Sequence, residues 1–200
     1  MRSNELDVVV AAHDINQHPF YRAWRAGTLP LTALARYASD YAPFIGAIEN
    51  GWSRIGEAEH AATEREHAAL WEQFRAALGP SKDASCPEAD ALSDEARRSF
   101  GDPAAALGAL YAFEAQQPST AQSKLDGLLE HYALGDEALA YFRHHASDYG
   151  ERELLGKKLE GLAEGSLSSA RAACERTCRA MWTALDGILS AGGHTAHCQA

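Results

Sequence analysis

The chain has 200 residues, 28 of them acidic against 18 basic, for a formal net charge of −10, and it contains four cysteines. That length suits one domain with one substantial core, and the scattered basic residues exclude a phosphate-tracking surface, so no nucleic-acid partner is expected. No stretch approaches the roughly 18 uninterrupted apolar residues of a membrane span, residues 1–7 lack the layout of a signal peptide, and Cys86, Cys174, Cys178 and Cys198 form no dense disulfide framework, so a cytoplasmic protein with no membrane partner is expected.

Ala, Leu, Glu and Arg dominate, β-branched residues are few, and no run alternates as a half-buried strand should, so the fold class is all-α. In chain order the pattern predicts helices over residues 4–17, 19–26, 30–56, 58–78, 88–100, 103–132 with a break near Pro118, 136–164 and 167–190. Thr28-Leu-Pro30 opens the third with proline in the first turn, and Asp102-Pro103 opens the sixth with an N-cap before proline. The segment 79–87 is rich in Gly, Pro and Ser and reads as a loop; Gly101, Gly135 and Gly165 mark other ends. Residues 1–190 are thus expected to form a single bundle of seven or eight helices. Residues 191–200 are expected to be a flexible tail, whose His194, His197 and Cys198 could catch a stray metal. Cys174 and Cys178, four apart on the last helix, read as packed thiols.

Three segments bring carboxylates and imidazoles together: Glu64-Arg-Glu-His67, Glu114 in Tyr-Ala-Phe-Glu-Ala-Gln-Gln-Pro, and His144-His145-Ala-Ser-Asp148-Tyr-Gly-Glu151. Residues three, four and seven apart share a helix face, so His60, Glu64 and His67 form one stripe and His144, Asp148 and Glu151 another. Helical bundles hold di-iron and di-manganese pairs on single Glu residues and Glu-x-x-His pairs, and Glu64-x-x-His67 has that spacing. Glu114 follows Leu107, Leu110, Tyr111 and Phe113, so its carboxylate would be desolvated and needs either a metal or an Arg or Lys partner. Taken singly, Glu64 and His67 also fit the solvated face of a helix carrying Glu57, Glu59, Arg65, Glu66 and Glu72, and His144-His145 also fit surface imidazoles. Their joint presence favours a metal centre, and oxygen plus imidazole donors without thiolate suit iron or manganese ahead of zinc and copper.

The pieces His18-Pro-Phe-Tyr21-Arg-Ala-Trp24, Gly27-Thr-Leu-Pro, Tyr37-Ala-Ser-Asp-Tyr41, Leu110-Tyr-x-x-Glu114-x-Gln116-x-Pro118 with Lys124, and Ala140-Tyr-Phe-x-x-His145 resemble the haem-oxygenase-like superfamily. That group includes thiaminase II (TenA), the pyrroloquinoline-quinone synthase PqqC and the haem-oxygenase-like di-iron oxidases. The resemblance is nearest to its CADD-like para-aminobenzoate synthases and runs from about His18 to Trp182, with a shortened stretch between Trp52 and Glu66. It implies a haem-oxygenase-like bundle and a di-iron centre, with manganese or a mixed iron–manganese pair also compatible. It further implies molecular oxygen and a reductant as co-substrates, and para-aminobenzoate for folate biosynthesis as product. In that family a tyrosine supplies the aromatic ring and a lysine the amine; Tyr21 and Lys124 fall on those positions, and Tyr37 matches a second tyrosine near the site. His67, Glu114 and His145 match metal ligands.

Two departures from the family pattern bear on the ligand set. Seven residues before His67, where the family has Glu, this chain has His60, and helix geometry favours Glu64 as the oxygen donor. The last cluster reads His145-x-x-Asp148-x-x-Glu151, with Glu where the family has a final His, unless His144 restores the register. The expected metal set is therefore Glu64, His67, Glu114, His145, Asp148 and Glu151.

Four rival readings follow from the same residues. A di-iron oxidase would take an external small amino-acid or fatty-acid substrate. A thiaminase-like hydrolase needs a cysteine nucleophile in the central helices, and no cysteine precedes Cys86. A haem oxygenase would use His13 or His18 as axial ligand. A helical interaction protein would bind a partner through an apolar face. A homodimer is compatible with any of them.

Overall fold

The computed structural model describes residues 2–81 and 85–191, and among these there is no strand. The helices are α1 (Ser3–Ala12), α2 (Pro19–Arg25), α3 (Leu31–Ile45), α4 (Ile48–Arg54), α5 (Ala58–Leu78), α6 (Pro87–Ser99), α7 (Pro103–Glu114), α8 (Gln117–His131), α9 (Asp136–His145), α10 (Gly150–Glu160) and α11 (Glu164–Ala191), with a 3₁₀ turn at Ile15–Gln17 after α1. His194, His197 and Cys198 lie outside the described residues. The eight helical runs read from the sequence are all present, and four of them carry a break; the first, 4–17, stops at Ala12 and resumes as the 3₁₀ turn, where the Asp14 carboxylate accepts the Asn16 N–H.

Each break has a local cause. Residues 30–56 divide after Ile45, two residues beyond Pro43, which has no N–H to continue the helical ladder. Residues 103–132 divide at Ala115-Gln116, just before the expected Pro118, which becomes the first turn of α8. Residues 136–164 divide over 146–149, where the Asp148 carboxylate accepts the Gly150 N–H and so competes with the helix for a backbone donor. The His144/Asp148/Glu151 stripe is therefore not one helical face. His145 ends α9, Asp148 sits in the turn, and Glu151 begins α10.

Helix α7 runs through the centre. Every residue from Ala105 to Glu114 is buried, as expected for a helix apolar all round, and the Asp102 side chain caps it by accepting the Ala105 N–H at 2.9 Å. α11 packs along both α7 and α6, α5 packs against α9, α4 and α3, and α10 leans on α7. The α7–α11 crossing is tight because Gly108 has no Cβ; one added there would run into the Ala170 carbonyl. Gly108→Ala is expected to lower stability by about 3 kcal/mol, the upper part of the overpacking range, read as a shift in urea midpoint at constant slope. Cys174 and Cys178 are fully buried in α11. No helix among the described residues is long and apolar enough to cross a membrane.

Candidate metal centre and the tyrosine–lysine cluster

On α5 the buried positions are Ala61, Glu64, His67, Trp71 and Phe74, a single stripe facing inward. Glu64 and His67 thus occupy core positions, while Glu59, Glu66 and Glu72 on the same helix face solvent. Exposures of 3% for Glu64, 1% for His67, 2% for Glu114, 1% for His145 and 6% for Glu151 rule out solvated side chains at all five. His67 Nδ1 lies 3.1 Å from Glu64 Oε1, and donor atoms of Glu64, His67 and Glu151 all fall within 4.8 Å of one another. The His67 ring is flanked by the rings of His145 and His144, each at 4.4 Å between centroids. Glu114, the last residue of α7, brings its carboxyl against that of Glu151.

Three carboxyl groups are buried together here, and among the described residues no lysine or arginine is paired with them. Burial pushes the proton affinity of Glu64, Glu114 and Glu151 upward, and for Glu114 and Glu151 the neighbouring carboxylates push it further. Glu114 also sits at the negative end of the α7 dipole, which disfavours a carboxylate, whereas Glu151 is in the first turn of α10, where the dipole favours one. Burial holds the imidazoles neutral, with His145 lowered to about 3.

Both Glu114 oxygens, His67 Nε2 and the Nε1 of adjacent Trp52 are buried without a hydrogen-bond partner. His145 donates Nδ1–H to the Tyr141 carbonyl at 2.8 Å, which leaves its Nε2 lone pair available, the arrangement typical of metal-ligating histidine. Orphaned acceptors, neutral imidazoles and converging carboxylates without a cation are what one or two divalent ions would satisfy. The donor set fits the metal expected from the sequence.

Asp148 stands apart from this group. It is half-buried in the α9–α10 turn, one oxygen is used by the Gly150 N–H, and it acts on Glu64 and His67 through its charge. His60 is half-buried too, with its ring stacked on Trp52 at 4.7 Å.

A second buried cluster adjoins the first. The hydroxyls of Tyr21 on α2 and Tyr37 on α3 are 2.8 Å apart, and Lys124 Nζ on α8 donates to Tyr37 at 3.3 Å while lying 4.4 Å from the centre of the Tyr21 ring. Burial without a carboxylate lowers the Lys124 ammonium to about 7 and raises both phenols. These side chains line a small cavity of about 10 Å³, with Tyr41, Trp71, Gln117 and Tyr141 among the other walls. Tyr141 joins the two clusters: its ring is 4.2 Å from that of His145, and its hydroxyl accepts from Gln117 at 2.8 Å. Neither Tyr141 nor Gln117 was singled out from the sequence, although Tyr141 lies one helical turn before His145. α2 is set by His18, whose Nδ1 accepts the Phe20 N–H while Nε2 faces Asp186 at 3.0 Å. Both His18 nitrogens are therefore engaged, and His13 is half-buried at the end of α1, its Nδ1 2.9 Å from the Val9 carbonyl. With both nitrogens taken, His18 does not offer the axial ligand of a haem oxygenase.

Fold and side-chain clusters together are those of a helical metalloenzyme. Residues 26–148 match the family described as iron-containing redox enzymes, and the chain belongs to that family. It is 31% identical to a 4-aminobenzoate synthase of Nitrosomonas europaea, over 92% of this chain and 89% of the relative. Against a 4-aminobenzoate synthase of Chlamydia muridarum the identity is 32%, over 71% and 70%. A TenA homolog from Pseudomonas syringae pv. tomato superposes with a TM-score of 0.78 at 16% identity, over 95% of this chain and 93% of that one. A CADD-like protein of unknown function from Nostoc punctiforme gives 0.68 at 15% identity, over 96% of each. These two structures share the fold.

Proposed function

We propose that the chain forms para-aminobenzoate from its own Tyr21 and Lys124, at a two-metal, iron-containing centre held by Glu64, His67, Glu114, His145 and Glu151, with Asp148 at its edge. The observation that carries this reading is the approach of Lys124 Nζ to 4.4 Å from the centre of the Tyr21 ring, inside a core that excludes water from both. Relatives named 4-aminobenzoate synthase support the product. The bound metal would supply activation of molecular oxygen, with electrons from a reductant.

The remaining chemistry belongs to the chain. Lys124 has no anion to hold its proton, so near neutrality a large fraction of its Nζ carries a free lone pair. Tyr37 orients both partners, accepting from Lys124 and sharing a hydrogen bond with the Tyr21 hydroxyl. The product ring bears nitrogen para to a carboxyl carbon, which matches a tyrosine ring that gains the lysine nitrogen as the Cε–Nζ bond breaks, loses its phenolic oxygen as water, and keeps Cβ as the carboxyl carbon once Cα–Cβ is cut; molecular oxygen and the reductant would supply the oxidising equivalents and, with water, the carboxyl oxygens. The cavity has room for about one water-sized molecule beside these groups. That favours the wall residues themselves over an external amino-acid or fatty-acid substrate.

Protein carrying ring-¹³C tyrosine and ε-¹⁵N lysine, loaded with iron and given oxygen and reductant, is expected to release para-aminobenzoate labelled in both ring and amine when mixed with unlabelled small molecules. Unlabelled product, or product only on adding an external substrate, would reject the reading.

A further inference from the structure

The first turn of α10 carries Glu151 but has no apolar anchor of its own. The helix buries Leu155 and Leu159 farther along, and its N-cap, Tyr149, makes no capping hydrogen bond through its side chain. What ties this turn to the bundle is Arg152. Its Nη2 donates to Asp7 Oδ1 on α1 at 2.8 Å, and the same oxygen accepts the Tyr111 hydroxyl of α7 at 2.7 Å. Tyr111 is buried one turn before Glu114 on α7, and Arg152 directly follows Glu151. One carboxylate oxygen thus joins α1, α7 and α10 beside two of the three buried Glu residues.

We propose that Asp7, Tyr111 and Arg152 form a positioning clasp that holds Glu151 in register with Glu64, His67 and Glu114 for metal binding; this rests on the metal centre proposed above. An exposed Asp–Arg pair alone is worth little. Here the charge-assisted bond from Arg152 shares its acceptor with a phenol fixed in the core, which gives the contact a defined geometry. The far end of α10 is held separately, by Ser3 to Glu160 at 3.1 Å and Lys158 to Glu57 at 2.5 Å. Glu160 is about 13 Å along the helix axis from Glu151, too far to set the carboxylate.

The test is cobalt(II) and anaerobic iron(II) titration of the full chain against a competing chelator, with the visible ligand-field bands of cobalt as the spectroscopic signature. Asp7→Ala and Tyr111→Phe are each expected to weaken metal binding by up to about 10-fold, the low end of the range for loss of a hydrogen bond made directly to a ligand, since the clasp reaches Glu151 through its neighbour Arg152, and to alter those bands. Lys158→Ala is expected to change neither. In a Glu151→Ala background, Asp7→Ala is expected to add no further loss, because the clasp acts through that carboxylate. Unchanged affinity and bands in Asp7→Ala and Tyr111→Phe would overturn the clasp, as would the same fold-loss in the Glu151→Ala background. Wild-type protein that takes up neither metal would instead overturn the metal centre, and the clasp with it.

Discussion

Lys124→Met and Tyr21→Phe are each expected to abolish para-aminobenzoate release while leaving the helical fold and iron content intact. Phenylalanine retains the ring volume of Tyr21 and loses only the hydroxyl whose place the nitrogen must take and which makes the ring oxidisable, and methionine fills the space of Lys124 without an amine. Arginine is the poorer probe of Lys124, because it would keep a permanent charge in a pocket with no anion. The same burial sets two pH signatures. Product formation should fall as pH drops through about 7, because protonated Nζ has no lone pair.

Stability has its own sign. The lysine titrates at about 10.4 in the unfolded chain and at about 7 in the folded one. The unfolded state therefore binds more protons between those values, and the contribution of this residue to stability rises with pH across that window. Urea unfolding between pH 7 and 9 should show that slope in wild type and lose it in Lys124→Met, which should also be at least as stable at pH 7. Full product formation by either variant would remove that residue as a source of atoms.

Glu114→Gln is the second substitution with a large expected effect. It should weaken iron(II) or cobalt(II) binding by more than the roughly 10- to 100-fold that an outer partner of a ligand commands, since the carboxylate itself is lost. The metal-free variant should be no less stable than wild type, because the wild-type carboxyl is buried with both oxygens unpartnered. In metal-free wild type the unfolded chain gives up Glu protons near 4.3, while Glu64, Glu114 and Glu151 hold theirs to higher pH. The folded state then binds more protons, so stability should fall as pH rises from the carboxylate range toward neutrality, less steeply in Glu114→Gln. Metal binding opposes this by displacing those protons, so affinity should rise over the same range. Chelator-treated and metal-loaded samples unfolded in urea between pH 5 and 7.5 measure both trends, and a metal affinity unaltered by Glu114→Gln would remove Glu114 from the centre.

The helical class and most helix ends were legible in the sequence because they depend on local chemistry. Composition without strand alternation, Asp102 before Pro103, and glycines after the last apolar residue act within a few positions of themselves. The inward placement of Glu64 and His67 was only half legible: their spacing put them on one face, but acidic neighbours on the same helix also fitted a solvated surface, and the structure decided by burying that face with Trp71 and Phe74. The 136–164 run was misread where a short-range competition, the Asp148 carboxylate taking the Gly150 N–H, outweighed helical periodicity and separated Asp148 from Glu151. Only the tertiary structure brings Lys124 over Tyr21, sets Tyr141 between the two clusters, and ties Arg152 to Asp7 and Tyr111. The Lys124–Tyr21, Asp7–Tyr111 and Asp7–Arg152 contacts join residues more than 100 positions apart in the chain, and the whole set is decided by how helices cross and which faces they bury, a choice made by the whole core and carried by no local pattern.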